Sequence, residues 1–121
     1  MQIAQKNFYK KSLGRAGELK ATEFLKKKGY EILERNYKTH IGEIDIIALD
    51  NETVVFVEVK TRIDDAFGAP AEAVDERKRF KYKKVATEYL VKKNRLENNC
   101  RFDVIEIENG KINHIIDAFC V

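Results

Sequence analysis

Apolar positions along the chain first follow a helical period. From about Ser12 to Lys28, Leu13, Gly17, Ala21, Phe24 and Leu25 fall on one side. Lys26, Lys27 and Lys28 then precede Gly29, cations followed by the residue that most readily ends a helix. The period then shortens. Tyr30–Tyr37, Glu43–Leu49 and Val54–Lys60 read as three strands, and the polar group Asp50-Asn51-Glu52-Thr53 turns the second into the third. A loop from Ile63 to about Ala71 holds Gly68 and Pro70. A second helix is expected from Asp75, as N-cap, to about Lys93, with Tyr82, Val85, Ala86, Tyr89 and Leu90 inward. Arg101–Glu108 and Ile112–Phe119 form two more strands around Asn109-Gly110, a strong hairpin signal.

The predicted order is α-β-β-β-α-β-β. Three consecutive strands predict an antiparallel meander, and the helix after the third predicts a crossover to a parallel strand. The fold class is therefore α/β, with a mixed sheet. The second and third strands are apolar on both sides, which predicts helices on both faces. Length and the lack of a linker predict a single domain over residues 1–121.

Composition narrows the class. The chain is 44% hydrophobic and 36% charged with a net charge of +3, enough apolar surface for a core and only a weak basic bias. No segment approaches the roughly 20 apolar residues of a membrane helix. The polar N-terminus and the unpatterned thiols of Cys100 and Cys120 lead to the expectation of a cytoplasmic protein without membrane partners.

One feature conflicts with a plain core strand. The third strand, VVFVEVK, ends in Glu58 and Lys60. If residues 50–53 form the hairpin loop, Leu49 pairs with Val54, Ile47 with Phe56, Asp45 with Glu58 and Glu43 with Lys60. Two carboxylates facing each other repel, more so where water is scarce. A shared proton, an ammonium or a divalent cation must compensate. Mg²⁺ or Mn²⁺ suits such oxygens, and the backbone carbonyl of Val59 could join Asp45 and Glu58 as a ligand. Lys60 could position a water or neutralise an anionic substrate. Glu18 on the first helix could supply a third carboxylate, and Lys78 extends the inward stripe of the second helix. The same residues also fit an ion-paired edge of a core, with Glu18 solvated and Lys78 lying over apolar surface.

Taken together, Gly14-Arg15-Ala16-Gly17-Glu18, Gly42-Glu43-Ile44-Asp45-Ile46-Ile47-Ala48, Val57-Glu58-Val59-Lys60-Thr61-Arg62, Phe67-Gly68, Ala73-Val74 with Lys78, Arg101-Phe102-Asp103-Val104 and Ala118-Phe119 resemble the YraN family. That family is similar to Holliday-junction resolvases of the PD-(D/E)xK nuclease superfamily, with a restriction-endonuclease-like αβββαβ core; the last strand here is an addition. The resemblance implies Asp45 and Glu58 as Mg²⁺ ligands, Lys60 as catalytic lysine and Glu18 as an assisting acid. It implies a metal-dependent endonuclease acting on DNA, including branched or damaged DNA. It also makes a homodimer reasonable, because related resolvases act on two-fold substrates.

Basic residues cluster unevenly. Arg77, Lys78, Arg79, Lys81, Lys83 and Lys84 crowd the start of the second helix, Arg15 opens the first helix, and Arg35 and Arg62 sit near the ends of strands that border the proposed site. Arg15, Arg35, Arg62 and Lys78 are the candidate phosphate contacts, without a base-reading motif. Two other readings stay open: a nucleic-acid-binding module that keeps the fold without cleavage, and a structural domain with its carboxylates in ion pairs. His40, His114 and the cysteines read as structural or surface residues, and Asp103 as the partner of an arginine.

Overall fold

The computed structural model describes the backbone of residues 2–62 and 76–119 and the side chains of residues 14–62 and 76–119. The elements are α1 (Gln2–Lys27), β1 (Glu31–Lys38), β2 (Glu43–Asp50), β3 (Thr53–Arg62), α2 (Glu76–Lys92), β4 (Cys100–Glu108) and β5 (Lys111–Phe119). The first helix starts ten residues before the expected Ser12. The apolar stripe used to delimit it marks only the part that packs, whereas backbone hydrogen bonding continues into a polar extension. The Asp75 cap, the expected 63–71 loop and Cys120 lie outside the described residues.

Both helices end through left-handed residues. Gly29, at φ 93°, donates to Lys26 C=O while Tyr30 N–H reaches Leu25 C=O, the paired bonds of a Schellman cap. Asn94, at φ 56°, does the same for α2, with Arg95 N–H on Leu90 C=O.

The five strands form one sheet in the order β1-β2-β3-β4-β5. β1, β2 and β3 are antiparallel, β3 and β4 are parallel across the α2 connection, and β4–β5 is the predicted hairpin. Asn109 and Gly110 both have positive φ, as a two-residue turn of the primed type requires. The α-β-β-β-α-β order is that of a restriction-endonuclease-like core, with β5 added.

Alternation along the central strands builds two cores. Val54 and Phe56 face α2 with Ile47, Val85, Tyr89 and Phe102. Val55 and Val57 face the opposite way with Ile46, Ile105 and, from α1, Ala21 and Leu25. The helices thus cover opposite faces, and β2 and β3 are buried between them, the reason both read as nearly continuous apolar runs.

Candidate functional site

β2 and β3 pair from Asp50↔Thr53 to Ile46↔Val57, in the expected Leu49↔Val54 register but around a two-residue turn, Asn51-Glu52, rather than the expected four-residue loop, and the ladder ends there. Beyond that point β2 stays with β1 as far as Glu43, while β3 stays with β4 as far as Arg62. The two central strands therefore fork at Asp45 and Glu58. This corrects the expected cross-strand pairs Asp45–Glu58 and Glu43–Lys60, neither of which forms. Side-chain alternation also breaks here: Ile44 and Ile47, three residues apart, join one core, while Ile46 joins the other.

The Asp45 carboxylate occupies the fork. Its Oδ2 accepts the Val59 N–H at 2.8 Å. In an extended strand a residue's N–H and C=O point to the same edge, so the Val59 carbonyl opens on the fork as well. Burial pushes the Asp45 carboxyl up to about 7, and the charges of Glu18, Glu58 and Glu43 add to the rise; the Val59 N–H opposes it.

Glu58 is held from the α2 side. Its Oε1 lies 3.7 Å from Lys78 Nζ, with the carboxylate 12% exposed and the lysine 52%. Its Oε2 is buried with no hydrogen-bond partner among the described residues. A buried carboxylate oxygen left without a partner is costly, so it marks a place where a ligand would be favoured. The Tyr82 hydroxyl is held far above its usual range, first by burial and then by the neighbouring Glu58 carboxylate.

Glu18 reaches the site because α1 lies tightly on β3. A Cβ on Gly17 would overlap the Thr61 Oγ1, so with threonine at position 61 this approach calls for glycine. Lys60 is half-buried two residues along β3 from Glu58, in register with Glu106 of β4. Arg15 is exposed one helical turn before Glu18; Arg35 is exposed opposite Ile46; Arg62 is half-buried at the end of β3. The fold thus gathers Glu18, Asp45, Glu58, Val59 and Lys78, with Lys60 alongside.

Among the described residues no three His, Cys, Asp or Glu side chains stand close enough to enclose a metal ion. Mg²⁺ does not require such a cage, because it binds through one or two carboxylates and keeps its waters. Asp45, Glu58 and the Val59 carbonyl fit in donor type, and the Glu58 oxygen that has no partner among the described residues and the unfavourable Asp45 charge are what a cation would relieve.

Two features escaped sequence reasoning. Tyr82 was legible as an inward residue, but its hydroxyl beside Glu58 was not. The second is a buried network around Asp103. This fully buried carboxylate accepts from Arg101 Nε at 3.0 Å and from the Asp117 N–H at 2.9 Å, and it meets His114 Nε2 at 2.8 Å. Arg101 also reaches Asp50 and Tyr30, and His114 Nδ1 meets Lys28 Nζ at 2.8 Å. The expected arginine partner of Asp103 is therefore present, and the His114 side chain, 4% exposed, lies against the same carboxylate. The hairpin register, which sets His114 beside Ile105, was the available signal for the second contact.

No helix among the described residues is long and apolar enough to cross a membrane. Residues 17–107 match the family described as Uncharacterised protein family UPF0102. A UPF0102 protein of Alkaliphilus oremlandii is 50% identical over 115 residues, covering 90% of this chain and 98% of its own. One from Caldanaerobacter subterraneus is 47% identical over 121 residues, covering 94% and 99%. One from Caldicellulosiruptor saccharolyticus is 50% identical over 109 residues, covering 89% and 92%. The matched segment contains the fork, the α1 glycine that approaches it and the Asp103 strand, so the chain belongs to the UPF0102 family.

Proposed function

We propose that this protein is a Mg²⁺- or Mn²⁺-dependent endonuclease that hydrolyses phosphodiester bonds in DNA, including branched or damaged DNA. The observation that carries this reading is the fork. A largely buried Asp45 with an unfavourable charge and a Glu58 oxygen without a hydrogen-bond partner among the described residues lie together, with lysines close by. Bound there, a divalent ion would supply charge compensation and a more acidic water.

The protein's own groups would divide the remaining work. Asp45 and Glu58 hold the ion, with the Val59 carbonyl, and Glu18 adds negative charge from α1. Lys60 orients the attacking water or neutralises charge developing on the phosphate. Arg15, Arg35, Arg62 and Lys78 hold the backbone on either side of the reacting bond, which favours structure-selective over sequence-specific binding.

The test is cleavage of linear, nicked, flapped and four-way DNA with Mg²⁺ and Mn²⁺. Asp45→Asn, Glu58→Gln and Lys60→Ala should each abolish cutting and leave the melting curve cooperative. A chain that cuts none of these substrates with either metal rejects the proposal. The Glu58–Lys78 ion pair supports a second reading, a DNA-binding module whose carboxylate is satisfied by lysine. Band shifts without cleavage, equal for the unmodified chain and Lys60→Ala, would select it.

A further inference from the structure

α2 carries its cations where helix physics disfavours them. Six of the nine residues from Glu76 to Lys84 are lysine or arginine, whereas Val85–Lys92 holds one, Lys92. The start of a helix is the positive end of its dipole, and cations are favoured in the last turn. Arg77–Lys81 and Arg79–Lys83 are also like-charge pairs four residues apart, an arrangement that weakens a helix. Helix stability therefore does not account for the cluster. A polyanion lying against it would.

Within the cluster stands a ring that the core does not use. Phe80 is 59% exposed, while Val85, Ala86, Tyr89 and Leu90 of the same helix are buried. Its neighbours on the helix surface, three and four residues away, are Glu76, Arg77, Lys83 and Lys84, three cations and one acid, all exposed. Lys84 Nζ lies 4.6 Å from the ring centroid. A lone exposed apolar residue is ordinary. An aromatic ring framed by cations is the arrangement that binds single strands, where a base stacks on the ring and the cations take the backbone. Bases within a duplex stack on each other, so only an unpaired base can be splayed out onto such a ring.

We infer that the outer face of α2 docks an unpaired DNA strand, with Phe80 stacked on a base and Arg77, Lys83 and Lys84 on the flanking phosphates. The inference rests on the nuclease reading for what is cut, and it narrows the substrate to DNA with an unpaired segment next to the scissile bond.

Lys78 ties this face to the fork. Its Nζ is 3.7 Å from Glu58 Oε1, and Phe80 follows two residues later, about 200° round the helix. A strand leaving the fork over the first turns of α2 meets Phe80 after about one helix diameter, roughly 10 Å. The cations lie along that path, and the phosphate contacts near the fork are continued by a base contact beyond it.

Anisotropy of fluorescein-labelled DNA, measured in chelator so that nothing is cut, tests the surface. The probes are a blunt duplex and the same duplex with an oligothymidine flap. The flap should bind at least about tenfold tighter. Phe80→Ala should remove most of that advantage and leave blunt-duplex binding unchanged. Lys83→Ala/Lys84→Ala should flatten the salt dependence of flap binding. The chain has no tryptophan, so Phe80→Trp places a single indole at the contact, which oligothymidine should quench and the blunt duplex should not. Position 80 is exposed, so melting of these variants should stay cooperative. Equal binding of the two probes, a flap advantage that survives Phe80→Ala, or a loss shared equally by both probes overturns the inference. Cutting is scored separately with Mg²⁺. A chain that docks the flap through Phe80 and cuts nothing rejects the nuclease reading and leaves the docking surface standing.

Discussion

Asp45 of β2 caps the Val59 N–H of β3 at 2.8 Å, and it does so at the point where the two strands separate. The side chain takes the place of the main-chain acceptor that a continued ladder would have offered. One carboxylate therefore serves both to satisfy the fork and to present negative charge within it.

These two roles can be separated by mutation. In metal-free buffer at pH 8, Asp45→Asn should be more stable than the unmodified chain, because the amide oxygen still accepts the Val59 N–H while the repelled charge is gone. Asp45→Ala loses the acceptor as well, and should fall below Asp45→Asn by about 1–3 kcal/mol. Urea denaturation with a chelator present measures both.

The pH profile follows from the same group. Its folded-state pKa is raised from 3.8 to about 7. Between these values the folded state binds more protons at this site than the unfolded state, so stability falls as pH rises. Over that window the loss from Asp45 is at most about 4 kcal/mol. Thermal melts from pH 4 to 8 in chelator should show this decline, and Asp45→Asn should flatten it.

Divalent cation should reverse the trend. Binding to the folded state alone raises its stability with concentration. Titrating Mg²⁺ at pH 8 should raise the melting temperature of the unmodified chain, and the rise should vanish in Asp45→Asn and Glu58→Gln. An unchanged melting temperature would favour carboxylates tied into ion pairs.

Gly17 tests how α1 delivers Glu18. A methyl group there meets Thr61 Oγ1, so Gly17→Ala should cost about 1–3 kcal/mol despite the better helix propensity of alanine. Removing the obstacle in Gly17→Ala/Thr61→Ala should recover most of the loss in a denaturation series. No recovery would show that the helix does not rest on this contact.

Asp103 should behave as a buried charge whose partners cannot regroup. Asp103→Ala strands Arg101, His114 and the Asp117 N–H at once, and a loss of about 3–5 kcal/mol is expected. The same variant should leave the Mg²⁺-induced melting shift in place, since Asp103 contributes no group to the fork.

What the sequence determined by itself was the order of elements, the faces of β3, the α2 stripe and the position of both hairpin turns. Each follows from interactions a few residues apart: the helical period, the two-residue period of strands, and turn residues with positive φ. The Leu49–Val54 register was legible for the same reason, because the polar group 50–53 centres the turn, although Asp50 and Thr53 pair and the loop is two residues rather than four. It also named Glu18, Asp45, Glu58 and Lys78 as candidates. Only the tertiary structure decided how these groups meet. Extending the ladder on paper set Asp45 across from Glu58, whereas β2 follows β1 and β3 follows β4 beyond Ile46, and the fork lets Asp45 turn onto Val59. The burial of Glu58, the Tyr82 hydroxyl beside it and the Asp103–His114 contact likewise depend on which elements pack together. Burial and charge proximity are sums over groups distant in the chain, and no local period encodes them.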